Sequence, residues 1–440
     1  MAGRSQPSMA RLLFVAVGES EVPAFESIAE HLGAEGSETR LVTWLPRLAA
    51  PRTESLERML PSLPPPRTDA AEVFAGCGIS DPSMAADYDR DWHFATVGQK
   101  TKHVRNVYSA LADVYDEFKP DLVVSSVGGE TTRVVSDVIA RARGVQTAYF
   151  NAVPIPGRFT LLRSMDAPFV PYEGSNTSYR PLRRASNEPR QISGVNGQSP
   201  QASSPLEGIE RLWAQTVGRE KSYPVSWIPR KTAAVVKQAA LSRWKTKSGE
   251  YKAEHVKVLY PLHDERDFQV AVRERHAIPQ ANLLAYVSSS LPPGFHLYVK
   301  PHPEHAAAHH TLLWRDLVNR PNITFLPPEM SAKEAIQKSD VIFTLASSLG
   351  FEAIQAGKPV VCYGRPFYGN RGLTLDVDDP RQISKAIQEA QNTKPDQQAV
   401  DELRSTMTSW SWQGRFTPLD LAPANLRELA DAVKEVILQL

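Results

Sequence analysis

Short apolar runs alternate with amphipathic segments along most of this chain. In the first half, the runs at 12–17, 41–45 and 121–126 have the length of buried strands. The segments at 99–118 and 131–143 carry apolar residues at helical spacing, and Gly144 follows the second as a helix C-cap would. This repeated β-α-β order predicts a parallel sheet covered by helices.

A second alternation of the same kind fills the other half of the chain. The runs at 256–260, 296–299, 341–344 and 359–362 are predicted strands, separated by segments with helical periodicity. Between the two halves, residues 173–205 are rich in Ser, Asn, Gln, Pro and Gly and lose apolar periodicity. We predict a long mobile loop there, because insertions of this length are usually functional or disordered.

The pattern as a whole predicts an α/β protein with two domains. The first covers residues 1–225, and the second covers 226–424. Residues 425–440 form a helix whose broad apolar stripe must pack on another element. The Pro-rich stretch 49–67 is predicted to be irregular. We expect a cleft between the two sets of strand ends, since clefts at domain interfaces are preferred ligand sites.

Composition limits the classes of partner and compartment. The 440 residues carry 50 basic and 49 acidic side chains, so no strong positive field is present to bind nucleic acid. Cys77 and Cys362 lie far apart and give neither a disulfide framework nor a zinc pattern, as expected of a cytoplasmic protein. No apolar stretch approaches the roughly 20 residues needed to cross a bilayer, and the first apolar run is too short for a secretory signal.

Polar, small or cationic residues follow three of the predicted strands in the second half. Lys300 and His302 follow the first of these strands. Ser347 follows the next, and Gly364 with Tyr368 follows the third. Because the carboxyl ends of parallel strands face the ligand crevice of an open sheet, these residues are expected to lie together. The set suits a phosphate with a sugar or a base beside it.

His302 stands between two prolines, Pro301 and Pro303. One interpretation is a turn that ends a strand. The other is a binding site, because prolines on both sides restrict the backbone and hold the imidazole in a fixed direction, which suits donation to a phosphate. The neighbouring Lys300 would add positive charge.

Ser347 and Ser348 precede a predicted helix with Gly350 in its first turn. A serine at this position caps a helix, and the same helix end can hold an anion. The two interpretations are compatible. Glu352 on this helix either complements the helix dipole or accepts the two hydroxyls of a ribose.

A similar strand-to-helix corner occurs in the first half, at Gly128 and Gly129. Glycines there allow close approach of the backbone. Glu130 would face the cleft as an acid/base and Arg133 as a clamp, or both would simply be charges in a first helical turn. His263 opens a charged run that is either solvated or part of the crevice edge. The remaining histidines show no ligand spacing, so no metal site is predicted.

The order of four motifs resembles a known family. The motifs are Tyr260-Pro261-Leu262-His263, Lys300-Pro301-His302-Pro303, Ser347-Ser348-Leu349-Gly350-Phe351-Glu352-Ala353 with Gly357-Lys358-Pro359-Val360, and Gly364 with Phe367-Tyr368 and Gly372-Leu373-Thr374. This arrangement resembles the capsule polysaccharide biosynthesis/export family, which includes bacterial β-Kdo (3-deoxy-D-manno-octulosonic acid) glycosyltransferases. The His-Pro and Ser-Ser pieces are also similar to motifs of bacterial sialyltransferases.

The resemblance implies a GT-B-like fold, with two Rossmann-like parallel-sheet domains facing a central cleft and a C-terminal helix crossing back to the first domain. It implies that His302, Ser347 and Ser348 bind the phosphate of a CMP-sugar and that Glu352 binds the ribose. The expected donor-binding residues are Lys300, His302, Pro303, Ser347, Ser348, Gly350, Glu352 and Tyr368. The expected catalytic residues are Glu130, Arg133 and His263.

The implied activity is transfer of Kdo or a related acidic sugar from a CMP-activated donor to a glycan or glycolipid acceptor of a bacterial surface polysaccharide. No metal or other cofactor is expected. The alternatives are a UDP-sugar 2-epimerase, a polyol-phosphate transferase, or a non-catalytic polysaccharide-binding or assembly protein, because fold alone does not choose among them. The expected location is the cytoplasm, with peripheral association with the inner membrane or with the assembly machinery as a further expectation.

Overall fold

The computed structural model describes residues 10–59, 67–89, 92, 95–165, 249–265, 267–274, 277–301, 312–417 and 419–439. These residues divide into two compact units. The first unit contains 10–165 and 407–439, and the second contains 249–406. The chain thus re-enters the first unit at Met407, earlier than the predicted boundary at 425. The predicted loop 173–205 and the predicted boundary at 225 lie outside the described residues.

The strands are β1 Arg11–Ala16, β2 Glu38–Thr43, β3 Thr53–Ser55, β4 Leu122–Ser126, β5 Gln146–Ala152, β6 Arg158–Leu162, β7 Val256–Pro261, β8 Phe295–Lys300, β9 Ile323–Phe325, β10 Val341–Thr344, β11 Val360–Cys362, β12 Leu375–Asp376 and β13 Trp412–Gln413. The helices are α1 Glu21–Ala34, α2 Leu56–Met59, α3 Ala70–Gly76, α4 Val97–Phe118, α5 Thr131–Arg143, α6 Gln280–Ser290, α7 Leu312–Val318, α8 Ala332–Lys338, α9 Ser348–Gln355, α10 Ile383–Ala390, α11 Gln397–Ser409 and α12 Pro423–Ile437. Short 3-10 turns lie at Pro46–Leu48, Pro82–Ala86 and Pro380–Gln382, and a π-helical turn at Gln269–Arg273.

The first unit is built on one sheet, whose strand order among the described residues is β3-β2-β1-β4-β5-β6-β13. Strands β1 to β5 pair in parallel, and β6 and β13 are antiparallel additions at one edge. The order reverses between β1 and β4. In sheets of this type the reversal opens a crevice at the carboxyl ends of the strands, so the residues after β1 and β4 are placed for a ligand.

The second unit repeats the design, with the order β9-β8-β7-β10-β11-β12 in the residues that the structure describes. All of its strand pairs are parallel. Here the order reverses between β7 and β10. The predicted α/β class with two Rossmann-like parallel-sheet units is therefore confirmed. We call these two reversals the first and the second switch point.

The apolar runs form strands because helices cover both faces of each sheet. Strand β4 is buried at every position, and so is β10. Parallel sheets covered on both faces have such continuous apolar runs. Helix α5 ends at Gly144, which has the left-handed φ of 66° expected from the sequence.

Helix α12 belongs to the core of the first unit. Its residues Leu429, Val433 and Val436 are buried in one cluster with Phe14 of β1 and Phe25 of α1. The apolar stripe at the C-terminal end of the chain is therefore covered within the first unit.

One sequence prediction is wrong. The stretch 49–67, expected to be irregular, contains β3 and α2 in its described part. Both elements are very short, so periodicity cannot identify them.

Candidate functional site at two switch points

At the first switch point, a buried carboxylate joins the ends of β1 and β4. The backbone N–H groups of Val17 and Gly18 each donate to Oε2 of Glu21 at 2.9 Å. The Ser126 hydroxyl and the Arg133 guanidinium both donate to Oε1, the latter from Nη2 at 2.6 Å. Burial alone would raise the pKa of Glu21, but Arg133 and the hydrogen-bond donors lower it below its usual value. Glu21 is therefore an anion inside the first unit.

Arg133 connects this buried carboxylate to Glu130. Its Nη1 donates to Oε2 of Glu130 and lies 3.5 Å from the carbonyl oxygen of Val127. Only 6% of the side chain is exposed. Burial would lower the pKa of Arg133, but the two carboxylates raise it above its usual value, so the guanidinium stays charged. The predicted clamp therefore holds two carboxylates of its own chain, and its guanidinium does not face solvent.

Glu130 is the exposed member of this group. It occupies the N-cap position of α5 without capping it, and 40% of its side chain is open to solvent. Its ion pair with Arg133 fixes the carboxylate at the end of β4. A carboxylate that is both accessible and held in place suits a general base, and this role of Glu130 stays a prediction.

The predicted close approach at the two glycines is made by the protein itself. A Cβ atom at Gly128 would overlap Arg133 and Glu130. One at Gly129 would lie 2.5 Å from the carbonyl oxygen of Tyr88. These glycines thus make room for the ion pair and for the 87–89 turn.

The N-terminus of α5 already carries an anion. Oδ2 of Asp89 accepts hydrogen bonds from both N and Oγ1 of Thr131, each at 2.9 Å. Asp89 is itself buried. A carboxylate at this position complements the helix dipole as a bound phosphate would. Asp89 therefore occupies the position at this helix end that a bound phosphate would take.

At the second switch point, His263 follows β7 and contacts the segment after β10. The backbone N–H of Ala346 donates to Nε2 of His263 at 3.4 Å, which requires a neutral ring with its proton on Nδ1. Gln280 holds the His263 backbone from both sides, accepting from its N–H at 2.9 Å and donating to its carbonyl at 3.1 Å. The structure thus brings His263 and Ser347, predicted separately, to the same place.

Ser347 caps α9, as the sequence indicated. Its hydroxyl accepts a hydrogen bond from the N–H of Leu349 at 3.2 Å, and its own N–H donates to the Thr344 hydroxyl at 3.1 Å. Ser348, the first residue of the helix, is exposed. The capping role is confirmed, and the binding of an anion at this end stays a prediction.

Gly350 and Tyr368 support this turn from the interior. Tyr368 is fully buried, and its hydroxyl donates to the carbonyl oxygen of Ser347 at 2.6 Å. A Cβ atom at Gly350 would overlap that hydroxyl. Burial raises the pKa of Tyr368 well above its usual value. Both residues were expected to contact the donor, but the structure places them beneath Ser347, where they set the shape of the turn.

Lys300 and Glu352 differ in exposure. Lys300 is buried at the end of β8, its Nζ lies 3.3 Å from the Pro301 carbonyl oxygen, and burial lowers its pKa. Glu352 is on the exposed side of α9, and partial shielding by the protein raises the pKa of its carboxyl. The predicted His302 and Pro303 lie outside the described residues.

Glu274 was missed by the sequence reasoning, because it lies in an amphipathic segment without a motif. Its Oε1 accepts a hydrogen bond from the N–H of Arg365 at 2.6 Å. A Cβ atom at Gly364 would lie 3.0 Å from its Cδ and would overlap the carbonyl oxygen of Leu345. Burial raises the pKa of Glu274 to about 7, against Arg365 and Arg273, which lower it. A buried carboxyl thus binds the backbone of the segment after β11.

Comparison with known families bears on the second unit. Residues 215–412 match the family described as capsule polysaccharide biosynthesis protein. This matched part of the chain includes the second switch point, and the match agrees with the resemblance that the motifs indicated.

Curated relatives match part of the chain. The capsule polysaccharide modification protein LipA of Neisseria meningitidis serogroup B is 30% identical over 152 residues, which are 31% of this chain and 20% of LipA. LipA of serogroup A is 29% identical over 152 residues, with the same coverage. The matched region thus spans about a fifth of the length of these relatives.

Similar solved structures include two kinds of enzyme. One is Thermosulfurimonas dismutans KpsC, a β-Kdo 2,7 transferase, with 15% identity and a TM-score of 0.36, covering 75% of this chain and 90% of that one. Another is UDP-GlcNAc 2-epimerase of N. meningitidis, with 13% identity and a TM-score of 0.32, covering 98% and 100%. At such scores neither structure supports an inference about activity.

The described residues contain neither a membrane-spanning helix nor a metal cluster. In the described ranges, no helix is both long and apolar enough to cross a membrane. No cluster of three or more His, Cys, Asp or Glu side chains able to hold a metal ion occurs in the same ranges.

Proposed function

We propose that this protein is a glycosyltransferase of bacterial capsule or related surface polysaccharide synthesis. In this proposal it transfers Kdo or a similar acidic sugar from a CMP-activated donor to a glycan or glycolipid acceptor. The observation that carries the proposal is the family match over residues 215–412, which contains the second switch point. In the same proposal, the protein acts at the cytoplasmic side of the inner membrane, together with the polysaccharide assembly machinery.

The residues that we propose to bind the donor belong to the second unit. Ser347, Ser348 and the N-terminus of α9 would bind the CMP phosphate, with His302 and Lys300 adding donors and positive charge. Glu352 would accept the ribose hydroxyls. Neutralising the phosphate makes CMP a better leaving group, because charge developing on it in the transition state is stabilised. The proposal requires no metal ion.

The residue that we propose to act on the acceptor, Glu130, belongs to the first unit. The acceptor oxygen attacks the anomeric carbon while the bond from that carbon to the phosphate oxygen breaks. The acceptor proton passes to Glu130, and CMP leaves with the electron pair of the broken bond. Glu130 suits this role because it is exposed yet fixed by Arg133.

Nucleotide binding provides the first test. We expect calorimetric titration to show tighter binding of CMP than of UMP or UDP, and His302→Ala to weaken CMP binding at least about tenfold, the loss of one charge-assisted hydrogen bond. His309→Ala, further along the same stretch of sequence, is the matched control. Tighter binding of UDP would favour the epimerase alternative and contradict the donor assignment.

Turnover provides the second part of the same test. Incubation with CMP-Kdo, CMP-sialic acid and UDP-sugars, with product detected by mass spectrometry, should give transfer from a CMP-sugar. Glu130→Gln should retain CMP binding and lose transfer. Nucleotide binding without transfer from any donor would support the non-catalytic alternative instead.

A further inference from the structure

The buried Glu21 lies one ion pair away from the proposed base. We propose that Glu21 is a positioning residue for transfer, which acts through Arg133 to set the direction of Glu130 and the charge that it faces. This inference rests on the proposed function, since it takes Glu130 as the base.

The carboxylate of Glu21 is held more tightly than a surface carboxylate can be. Four donors surround it, from three segments of the first switch point: the turn after β1, strand β4 and helix α5. Only 10% of its side chain is exposed. These hydrogen bonds hold the Glu21 carboxylate in one position, and this carboxylate in turn fixes the position of a group that binds it.

Arg133 transmits this fixed position to Glu130. Its two terminal nitrogens bind two different carboxylates, Nη2 to Glu21 and Nη1 to Glu130. Its Nε is buried and makes no hydrogen bond, so these terminal contacts orient the guanidinium. The lack of a side chain at Gly128 leaves the space in which Arg133 and Glu130 meet.

Glu130 shares the positive charge of Arg133 with Glu21. Arg133 carries one positive charge and lies between the two carboxylates. If Glu21 were replaced by a neutral residue, the whole charge of Arg133 would act on Glu130 and would oppose transfer of a proton to it from an acceptor hydroxyl. The negative charge of Glu21 therefore offsets part of the positive charge that Glu130 faces.

The pH profile of kcat/KM for transfer tests this inference. In Glu21→Gln, the acidic limb should move to lower pH by about one unit. A shift of this size is expected when one partly buried charge, one ion pair away from Glu130, is removed. In the double variant Glu21→Gln/Arg133→Met, which removes the ion pair and its positive charge, the limb should move to higher pH than in the unaltered protein. Glu30→Gln is the control, because Glu30 is exposed on α1, the helix that also contains Glu21, and this substitution should not shift the acidic limb.

Opposite shifts separate positioning from a purely structural role, because loss of stability lowers the rate without moving the limb in two directions. The double variant keeps the site free of an unpaired buried charge, so an unmoved limb in that variant would overturn the inference even if Glu21→Gln does not fold. An active protein whose limb is unmoved in these variants, or moves the same way in both, would overturn the inference while leaving the proposed transfer intact. Full activity of Glu130→Gln, or the absence of transfer from any CMP-sugar, would overturn the base assignment and the inference with it.

Discussion

At the scale of single residues, the second switch point depends on a glycine at which any side chain would overlap Tyr368. Gly350 lies where the Tyr368 hydroxyl reaches the Ser347 carbonyl. We expect Gly350→Ala to destabilise the protein by about 1 to 3 kcal/mol, the usual cost of overpacking, although alanine favours helices. Urea denaturation measures this loss, and CMP binding should weaken with it.

A second glycine gives the matched control. Gly33 in α1 has open space where its Cβ would lie. Gly33→Ala should stabilise the protein by up to about 1 kcal/mol, because only the helix propensity changes. Equal effects of the two substitutions would contradict the role given to Tyr368.

The Glu274 carboxyl predicts a dependence of stability on pH. Its pKa of about 7 in the folded protein is above the usual 4.5, because burial penalises the ionised form. The stability that goes with the neutral form is thus complete below pH 4.5 and is lost as pH rises through 7. The side chain in Glu274→Gln can still accept a hydrogen bond from the Arg365 N–H but does not titrate. As pH increases from 4 to 8, the free energy of unfolding of this variant should therefore rise by about 2 to 3 kcal/mol relative to that of the unaltered protein.

Thermal unfolding at a series of pH values measures this difference. Glu389→Gln, at an exposed position of α10, is the control and should follow the unaltered protein throughout. A constant offset between Glu274→Gln and the unaltered protein at all pH values would rule out a titrating carboxyl.

At the scale of elements, the sequence predicted what long periodic patterns can carry. The buried strand β4, helix α5 and the capped turn at Ser347 were found because apolar runs, helical spacing and capping residues act locally. Strand β3 was missed because it has three residues and an exposed Glu54 in the middle. Its pairing with β2 comes from the sheet and not from its own pattern.

The candidate site was predictable only in part for the same reason. The positions of Ser347 and His263 after strands indicated a shared edge, which depends on sheet order alone. The burial of Arg133 and Glu21 could not be predicted, since charges in a first helical turn are usually solvated. Their partners come together through contacts more than 100 residues apart in the chain.

At the scale of the whole molecule, the first unit is completed by the C-terminal segment. Leu429 of α12 is buried in the same core as β1. Leu429→Ala should destabilise the first unit by about 2 to 4 kcal/mol, the cost of a buried cavity. Hydrogen exchange should therefore speed up in β1 and β4, and stay unchanged in β7 and β10 if the units open separately.

A similar substitution in the core of the second unit provides the control for this experiment. Ile387 of α10 is buried in the core of the second unit. Ile387→Ala should raise exchange in β7 and β10 and spare β1 and β4. Loss of protection in all four strands with either variant would show that the two units unfold as one.

The Asp89–Thr131 contact gives the two repeated units unequal chemistry. Both have the same strand order around the reversal, yet in the first a carboxylate of the chain occupies the helix end after β4 as a permanent internal counter-ion. An incoming nucleotide would have to displace it at that end of α5. A second negative charge at this end of α5 would meet the carboxylate of Asp89, so the contact disfavours a phosphate there.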